Sequence, residues 1–467
     1  MISNGIGLPH PGDETTPGRK PPESGSEGGG FGSAQIAGLG LALVLATAEA
    51  ARAVDATDLT GFVIASLAHG ALYTLAVLVV FRLRGNRARL AVILAVAVVV
   101  RGIALTPAPN LSTDAYRYVW DGRVQADGKS PYLYVPADPN LAHLRDEAIY
   151  PNINQKERAV TIYPPVAELL FRAAHWLGDS LTTTRVVMMA LDLVTILALL
   201  ATLSALRLPL DRIIIYAWHP LPIWEFGGHG HVDAALTAAI ALGLLAAVRG
   251  RQSLAGMAFA AAALVKYFPV VLLPALWRRW DWRLPAAFIA TAALLYVPYV
   301  RDAGRNVIGF LGQHLDNEGY GAGWGFHPIW LLRDFAFADP SPTFYVACSL
   351  LALGGLALVA LFRRGAEEIR FDMMLLLGAA FVFLTSPHYP WYFAFLVALM
   401  PFAPHPAAFA FTLLAPLLYL PRPPGGITWT EIYLAVYWLP FAMLSLGALA
   451  RHVRKSREAR TDVAAER

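Results

Sequence analysis

The chain has 467 residues, of which 57% are hydrophobic and only 15% are charged, and its mean hydropathy is +0.50. A soluble domain carries roughly 25% charged residues, so this composition excludes an ordinary soluble globular protein. The only cysteine is Cys348, which excludes a disulfide framework and a cysteine metal site. The net charge of +4 comes from basic residues at the ends of apolar blocks, which indicates membrane topology and not nucleic-acid binding. The sequence predicts an all-α polytopic membrane protein.

The N-terminal part of the chain sets the predicted topology. Residues 1–33 are rich in Gly, Pro, Ser and Glu, so we expect a disordered cytoplasmic tail. Two apolar segments follow within 34–89, and the arginines at 82–89 mark the cytoplasmic side. The next segment then crosses to the far side, which makes the polar segment 106–178 extracytoplasmic. The basic tail 451–467 is expected in the cytoplasm, as is the N-terminus.

An arrangement of fourteen apolar crossings places all of the basic loops on the cytoplasmic side. These crossings lie at 34–54, 61–81, 90–105, 186–206, 212–226, 233–248, 253–266, 268–277, 285–300, 343–362, 371–386, 389–402, 406–420 and 431–450. Several are shorter than the roughly 20 residues that a spanning helix needs. The two segments that meet at Lys266 can instead form one broken element, so we expect twelve to fourteen crossings.

The predicted outer face carries the unusual polar loops, and the inner face carries short arginine turns. The outer loops are 106–163, 228–233, the turn at Lys266, 301–342 and 386–389. Pro165–Leu177 is amphipathic, with Glu168 and Arg172 four residues apart, and making it a crossing would break the charge pattern. We therefore expect it to lie in the membrane interface, and we expect function on the outer face.

The stretch Leu111–Gly122, LSTDAYRYVWDG, is the most unusual polar segment. Read as a helix that starts at Ser-Thr-Asp, it places one set of residues on a single face, predicted to be wet: Asp114, Arg117, Tyr118, Asp121 and Gln125. One hypothesis makes Asp114 a general base, with Arg117 as a partner for it or for a phosphate. The other makes Asp114 a helix N-cap and Arg117–Asp121 an ordinary ion pair. Both can hold, because a helix N-terminus keeps a carboxylate ionised.

Other polar residues in apolar surroundings are also candidates. His229, His231 and Asp233 are metal-ligand types, but their spacing matches no zinc pattern, so a hydrogen-bonding turn that faces a polar substrate is favoured. Lys266 either snorkels to the interface or holds a lipid phosphate. His388 lies in an aromatic interface belt and is either part of that belt or a site residue.

An ordered set of motifs resembles a known superfamily. The motifs are DAYRYVWDGRVQA from Asp114, GKSPYLYVP from Gly128, Ile149-Tyr-Pro, Ile162-Tyr-Pro-Pro165, Gly230-His-Val-Asp233, Leu264-Val-Lys-Tyr-Phe-Pro269 and Pro390-Trp-Tyr392. Together they resemble the GT-C superfamily of membrane glycosyltransferases over roughly residues 90–450. The likeness is to bacterial polyprenol-phosphate-mannose-dependent mannosyltransferases, including glycosyltransferase family 87 and the α-1,6-mannopyranosyltransferases. The first two apolar segments look like additions to that domain.

The resemblance implies a GT-C-like bundle of about 12–14 transmembrane helices, with juxtamembrane helices in the catalytic loop 106–178. It implies transfer of a sugar, expected to be mannose, from a polyprenyl phosphate to a glycolipid or polysaccharide at the outer face of a bacterial inner membrane. The position that matches the essential acidic residue of the superfamily is Asp114. Many members have two adjacent acids, whereas here Ala115 follows Asp114 and the second acid is Asp121, whose role stays open.

The remaining site residues follow from this chemistry. Arg117, Lys266 and Arg123 are expected to balance the charge of the leaving phosphate. Substrate contacts are also expected from Tyr116, Tyr163, Asp121, His229, His231, Asp233, His388 and Tyr389. No cofactor, divalent metal or nucleic acid is expected, and membrane lipids are expected partners.

Two other functions stay open from the sequence alone. One is a transporter or flippase of a lipid-linked sugar, although only one broken pair of helices is visible, where a transporter usually has two. The other is an accessory subunit of an envelope assembly with a degenerate site.

Overall fold

The computed structural model describes residues 27–83, 85–336, 338–362, 369–420 and 428–446. The predicted cytoplasmic markers Arg84, Arg363 and Arg364 and the basic tail 451–467 lie outside these ranges. The first helix begins at Glu27, within the segment 1–33 that was predicted to be a tail. The helix of the first apolar segment simply continues backwards through Gly28–Ser33.

The described residues form helices without any strand. The α-helices are α1 (Glu27–Asp55), α2 (Leu59–Arg82), α3 (Arg87–Ala104), α4 (Asp114–Ala126), α5 (Pro165–Leu177), α6 (Leu181–Ala205), α7 (Ile214–Ala217), α8 (Pro220–Pro222), α9 (Asp233–Val248), α10 (Gln252–Ala263), α11 (Leu273–Leu276), α12 (Arg283–Ala303), α13 (Leu311–Asn317), α14 (His327–Ala336), α15 (Pro342–Phe362), α16 (Phe371–Thr385), α17 (Ala394–Leu399), α18 (Pro406–Leu413) and α19 (Trp429–Tyr433). Short 3-10 helices lie at Pro139–Leu144, Tyr150–Asn152, Leu210–Ile213, Phe268–Leu272, Gly304–Ile308, Pro390–Phe393 and Ala415–Tyr419, and π-helices lie at Ile223–Gly228 and Leu434–Trp438.

Five of these helical stretches are long and apolar enough to cross a membrane: Gly32–Asp55, Leu59–Arg82, Leu181–Ala205, Arg283–Asn317 and Pro342–Phe362. Shorter apolar helices lie at Asp233–Val248, Gln252–Ala263, Phe371–Thr385, Pro390–Leu399 and Pro406–Tyr419. The predicted all-α polytopic class is confirmed. The number of crossings stays a prediction, as do the domain boundaries.

Several predicted crossings are divided into shorter helical pieces, and two of these are next to the residues of the site. The segment 212–226 is divided into α7, α8 and a π-helix, and 268–277 into a 3-10 helix and α11. Each contains prolines, which remove a backbone donor and clash with the preceding turn. Such irregular backbone is tolerated in a membrane only where protein surrounds it or where it lines a polar cavity.

Side chains from neighbouring helices satisfy the backbone of the broken segment 212–226. Tyr73 of α2 donates its hydroxyl to the carbonyl of Ile215 over 2.8 Å, and a ring nitrogen of His69 lies 2.9 Å from the carbonyl of Trp218. Arg101 of α3 donates to the carbonyl of Ala217 over 2.7 Å and pairs with Asp192 of α6. Arg101 therefore has a structural role, and α2 is packed into the centre of the protein.

The loop that follows α3 carries the two helices α4 and α5, which pack against each other. Gly122 makes the close approach possible, since a Cβ there would lie 2.6 Å from the carbonyl oxygen of Phe171. The bounds of α5 are the predicted ones, and its exposed face ends in Trp176 and Leu177. That α5 lies in the membrane interface stays a prediction.

Two backbone contacts bring distant segments to the N-terminal end of α5. The amide of Val166 donates to the carbonyl of Leu264 over 3.0 Å, which places Lys266 beside the start of α5. On the other side, the amide of Phe310 donates to the carbonyl of Thr161 over 3.1 Å. Gly309 has a φ of +63° and allows this approach, because a Cβ there would lie 2.0 Å from the oxygen of Thr161. These contacts form the walls of the cavity described next.

Candidate active site

A cavity of about 480 Å³ opens between the start of α4, the linker before α5 and the loop that contains α13. Its polar wall includes Asp114, Arg117, Lys266, His314 and Glu318. Its aromatic wall includes Tyr163, Tyr389, Trp391 and Tyr392. The structure thus brings five of the predicted site residues to one cavity: Asp114, Arg117, Tyr163, Lys266 and Tyr389.

Asp114 is the first residue of α4, and its side chain keeps 29% of its surface exposed. The N-cap residue is Thr113, so the structure does not support the hypothesis that Asp114 caps this helix. Burial raises the pKa of Asp114 to about 6; the ammonium of Lys266 opposes this rise, and the carboxylates of Asp233 and Glu318 add to it. Asp114 is therefore mainly ionised at neutral pH and yet binds a proton more readily than an ordinary carboxylate.

Lys266 lies between the end of α10 and the broken segment at 268–277. Its Nζ donates to Asp233 Oδ2 over 2.7 Å and lies 4.3 Å from the ring centre of Tyr392. An ammonium group has three donors, so the bond to Asp233 leaves further capacity toward the cavity. Lys266 is thus held by a buried carboxylate beside the cavity and does not snorkel freely to the interface.

His231 connects Asp114 to a buried acid in the centre of the protein. Its Nδ1 lies 3.7 Å from Asp114 Oδ2, and its Nε2 lies 3.6 Å from Glu225 Oε2. The ring stacks on Trp391 with a centroid distance of 3.9 Å. Glu225 also accepts a hydrogen bond of 2.8 Å from the hydroxyl of Tyr419. The imidazole of His231 therefore lies between the carboxyl groups of Asp114 and Glu225.

The predicted wet face of α4 is buried, because α5 packs against it. Asp121 is fully buried and pairs with Arg117 at 2.8 Å, while Gln125 donates to Glu168 of α5 over 2.8 Å. Burial raises the pKa of Glu168 well above its usual value, and the neighbouring carboxylate of Asp121 adds to this rise. The shift favours the neutral form of Glu168, and Asp121 is the charge partner of Arg117. Asp121 does not line the cavity.

Arg117 links this buried network to the cavity. Its Nη1 donates to the carbonyl of Ala159 over 2.9 Å, and its Nη2 is a buried donor without a partner among the described residues. The side chain lines the cavity wall. A bound anionic group could therefore satisfy the remaining donor of Arg117.

A second cavity of about 540 Å³ shares one wall with the first. The shared residues are Ile162, Tyr163, Lys266, His314, Glu318, Tyr389 and Tyr392. Beyond them its lining becomes apolar and includes Phe268, Val346 and Phe381. His388 lies here, with Nδ1 3.4 Å from Glu318 Oε2. A polar chamber thus continues into a groove that can hold a hydrocarbon chain.

Six predicted site residues line neither cavity. Asp121, His231 and Asp233 contact residues that do, whereas the side chains of the other three contact other parts of the structure. Arg123 pairs with Asp146 and Asp179 at the far end of α4, and Tyr116 packs against a separate apolar cluster. His229 is buried among Phe62, Trp224 and Tyr419. We assign these three residues to structural contacts.

The described residues contain no group of three His, Cys, Asp or Glu side chains arranged to hold a metal ion. His229 and His231 do not face one point, since His229 points into the aromatic cluster and His231 toward Asp114 and Glu225. The expected independence from a divalent metal stays a prediction.

Sequence reasoning missed several residues at the site: Glu225, His314, Glu318, Trp391, Tyr392 and Tyr419. Trp391 and Tyr392 belong to the Pro390-Trp-Tyr392 motif, so a signal was present although it was interpreted as an interface belt. Glu318 and His314 lie in the polar loop 301–342, where no local pattern distinguishes them. Their position depends on the contact between Gly309 and Thr161, which only the structure shows.

The comparison with protein families supports the resemblance inferred from the motifs. Residues 161–387 match the model of glycosyltransferase family 87. The matched segment contains Tyr163, His231, Lys266 and Glu318, while Asp114 precedes it. Comparison with curated proteins and with solved structures gave no match. The match over residues 161–387 shows that the chain is similar to glycosyltransferase family 87, and together with the apolar helices it supports a membrane glycosyltransferase.

Proposed function

We propose that this enzyme transfers a mannosyl residue from a polyprenyl phosphate to a glycolipid or polysaccharide of the cell envelope. The reaction takes place at the extracytoplasmic face of a bacterial inner membrane and inverts the anomeric centre. The observation that carries the proposal is the continuity of the two cavities, which joins a polar chamber containing Asp114 to an apolar groove. A donor with a charged head and a hydrocarbon tail has this shape.

In this proposal the phosphate of the donor binds where the two cavities meet. Lys266 lines both cavities and keeps unused donors, and Arg117 has a buried unpartnered Nη2 in the polar chamber. Positive groups at this point stabilise the negative charge that grows on the leaving phosphate. The first isoprene units then lie against Phe268, Val346 and Phe381.

Asp114 serves as the general base. The acceptor hydroxyl oxygen attacks the anomeric carbon from the face opposite the phosphate, and its proton passes to Asp114. The bond between the anomeric carbon and the phosphate oxygen breaks, and polyprenyl phosphate leaves with the electron pair. A base with a pKa of about 6 is suited to this task near neutral pH.

The aromatic wall gives the sugar a binding surface. Tyr389 stacks on Trp391 at a centroid distance of 4.6 Å and is 38% exposed, so Tyr389 can offer its other face to a sugar ring, whereas Trp391 is stacked between Tyr389 and His231. The choice of mannose rests on the resemblance to mannosyltransferases and not on these contacts, since aromatic stacking suits many hexoses.

The direct test is transfer by the purified full chain in nanodiscs. Polyprenyl-phosphate mannose, glucose and arabinose are offered separately with an envelope glycolipid extract, and products are identified by mass spectrometry. Transfer of mannose alone supports the proposal. Another preferred sugar refutes the mannosyl assignment, and lipid movement across the bilayer without a new glycosidic bond refutes transfer and favours a flippase.

The groove has its own test with a matched control. Val346→Trp fills the apolar groove, whereas Leu351→Trp changes an exposed residue of the same helix α15. We expect Val346→Trp to raise the KM for a long-chain donor about tenfold, and to leave a water-soluble short-chain donor unaffected. Equal effects of the two variants would contradict the placement of the lipid chain.

A further inference from the structure

A third cavity lies at the opposite end of the helix bundle from the active site. It has a volume of about 840 Å³ and is lined by Arg278, Arg279 and Asp281 together with an apolar wall: Leu206, Leu208, Val248, Ile369, Phe371 and Phe402. Two helices run from one site to the other. Helix α9 begins at Asp233 beside Lys266 and ends at Val248, and α16 begins at Phe371 and ends at Thr385. At 1.5 Å per residue the two sites are roughly 20 Å apart.

The two arginines of this cavity lack a carboxylate partner among the described residues. Asp281 is the only acid in the lining, and it pairs with Arg283 at 2.7 Å. Arg278 donates only to the carbonyl of Ala247 over 3.4 Å, and its Nε is a buried donor without a partner in the described ranges. Arg279 lies 5.7 Å from the ring centre of Phe362. Within the described ranges neither guanidinium group has a direct ion pair, Asp281 acts on Arg278 only through its electrostatic field, and both arginines have unused donors at one cavity.

Tryptophan side chains beside the cavity indicate that it lies at the level of the lipid headgroups. Trp280 is 66% exposed and Trp282 is 72% exposed, and both follow the arginines in the chain. Exposed tryptophans beside arginines at helix ends are typical of the lipid headgroup region. Basic cavities between helix ends at this level suit the headgroups of anionic lipids.

We propose that this cavity binds the phosphate group of an anionic phospholipid. The guanidinium donors of Arg278 and Arg279 hold the phosphate oxygens, in the geometry that arginine offers to phosphate. The apolar wall contacts the glycerol backbone and the first methylene groups of the lipid. A free phosphate ion has no such groups and would leave this wall without a contact. The volume is in the range of lipid and ligand sites. The site is separate from the active cavity and does not depend on the proposed reaction.

The test is native mass spectrometry of the full chain in zwitterionic detergent, titrated with phosphatidylglycerol or with phosphatidylcholine. We expect one phosphatidylglycerol to be retained and phosphatidylcholine to be bound much more weakly. Loss of two arginine contacts in Arg278→Gln/Arg279→Gln should weaken retention about 30-fold. The matched control is Arg301→Gln/Arg305→Gln, which removes two exposed arginines near the other end of the bundle and should bind like the wild type.

The outcomes separate the possible ligands. Unchanged retention in the Arg278/Arg279 variant, or an equal loss in the control, overturns the site. Competition by millimolar inorganic phosphate overturns the assignment to a lipid and points to a free anion. If the glutamine variant fails to fold, Arg278→Lys/Arg279→Lys keeps the charge but loses the fork of donors, and should bind at an intermediate level. Wild-type retention in that lysine variant would overturn the role of the guanidinium groups.

Discussion

The replacement of Asp114 by Asn tests the assignment of the base most directly. Asn keeps the size of the side chain but cannot accept the proton of the acceptor hydroxyl. A positioned general base contributes about 10²- to 10⁴-fold to a rate, so we expect transfer from the polyprenyl-phosphate donor to fall at least 100-fold at pH 7.5. The measurement is initial rate against donor concentration, and the loss should appear in kcat more than in KM.

The pH dependence of the wild-type rate follows from the same residue. Burial raises the pKa of Asp114 to about 6, and a base is active only when it is deprotonated. The rate should therefore rise about tenfold per pH unit below this pKa and become level above it. The residual rate of Asp114→Asn should show no such inflection.

The stability of the variant should change in the opposite direction to its activity. The folded-state pKa lies above the usual 3.8, so the native protein binds this proton more tightly than the unfolded chain does. Ionisation of Asp114 then lowers the stability of the wild type as the pH rises from about 4 to above 6, with an upper limit of about 3 kcal/mol. Asp114→Asn removes this cost and should be at least as stable as the wild type at pH 7.5.

The control for these measurements is Asp127→Asn at the other end of α4. Asp127 bonds to Lys129 away from the cavity, so the transfer rate should stay within about twofold of the wild type. A rate near the wild type in Asp114→Asn would refute the assignment of the base. So would a wild-type profile that is flat between pH 5 and pH 7.

The remaining predictions concern the neighbours of Asp114 and the buried network of α4 and α5. His231→Gln should lower kcat about tenfold and shift the apparent pKa of the pH–rate profile, because His231 lies 3.7 Å from Asp114; an unchanged profile would contradict a positioning role. Lys266→Met should raise the donor KM at least tenfold while Lys266→Arg retains most binding, and equal values for the two variants would argue against a phosphate contact. Asp121→Asn should destabilise the protein by roughly 3 kcal/mol, because Arg117 loses its partner. Glu168→Gln should cost less than about 1 kcal/mol, because burial shifts the pKa of Glu168 toward the neutral form that Gln resembles, and equal shifts in thermal unfolding for these last two variants would contradict this difference.

The fold was largely predictable because helix ends in a membrane protein leave strong local signals. Apolar blocks and arginine clusters located α2, α9 and α15 to within two residues, and α5 was placed without error. The clearest failures occurred at 212–226 and 268–277, and the segments 389–402, 406–420 and 431–450 are also divided into shorter helical pieces. Hydropathy cannot distinguish a spanning helix from a proline-divided segment that is surrounded by protein, because both are equally apolar.

The site was only partly predictable, because helical periodicity shows which residues share a face but not what covers it. Asp114, Arg117 and Asp121 do lie on related turns of α4, yet Gly122 lets α5 approach so closely that Asp121 is buried. Glu318 reaches the cavity from a loop some two hundred residues farther along the chain. No local sequence pattern could predict that Asp114 and Glu318 lie at the same cavity, since their proximity depends on packing between distant segments.

The active cavity lies where the regular helices stop. His231 and Asp233 follow the broken segment 212–226, and Lys266 precedes the broken segment 268–277. In a continuous helix at either place, the backbone amides and carbonyls would bond to each other. Only apolar side chains would then face the neighbouring helices. The residues next to the two breaks, His231, Asp233 and Lys266, are neighbours of Asp114. Burial, together with the carboxylates of Asp233 and Glu318, raises the pKa of Asp114, so the residues beside these breaks help to set the proton affinity of the base.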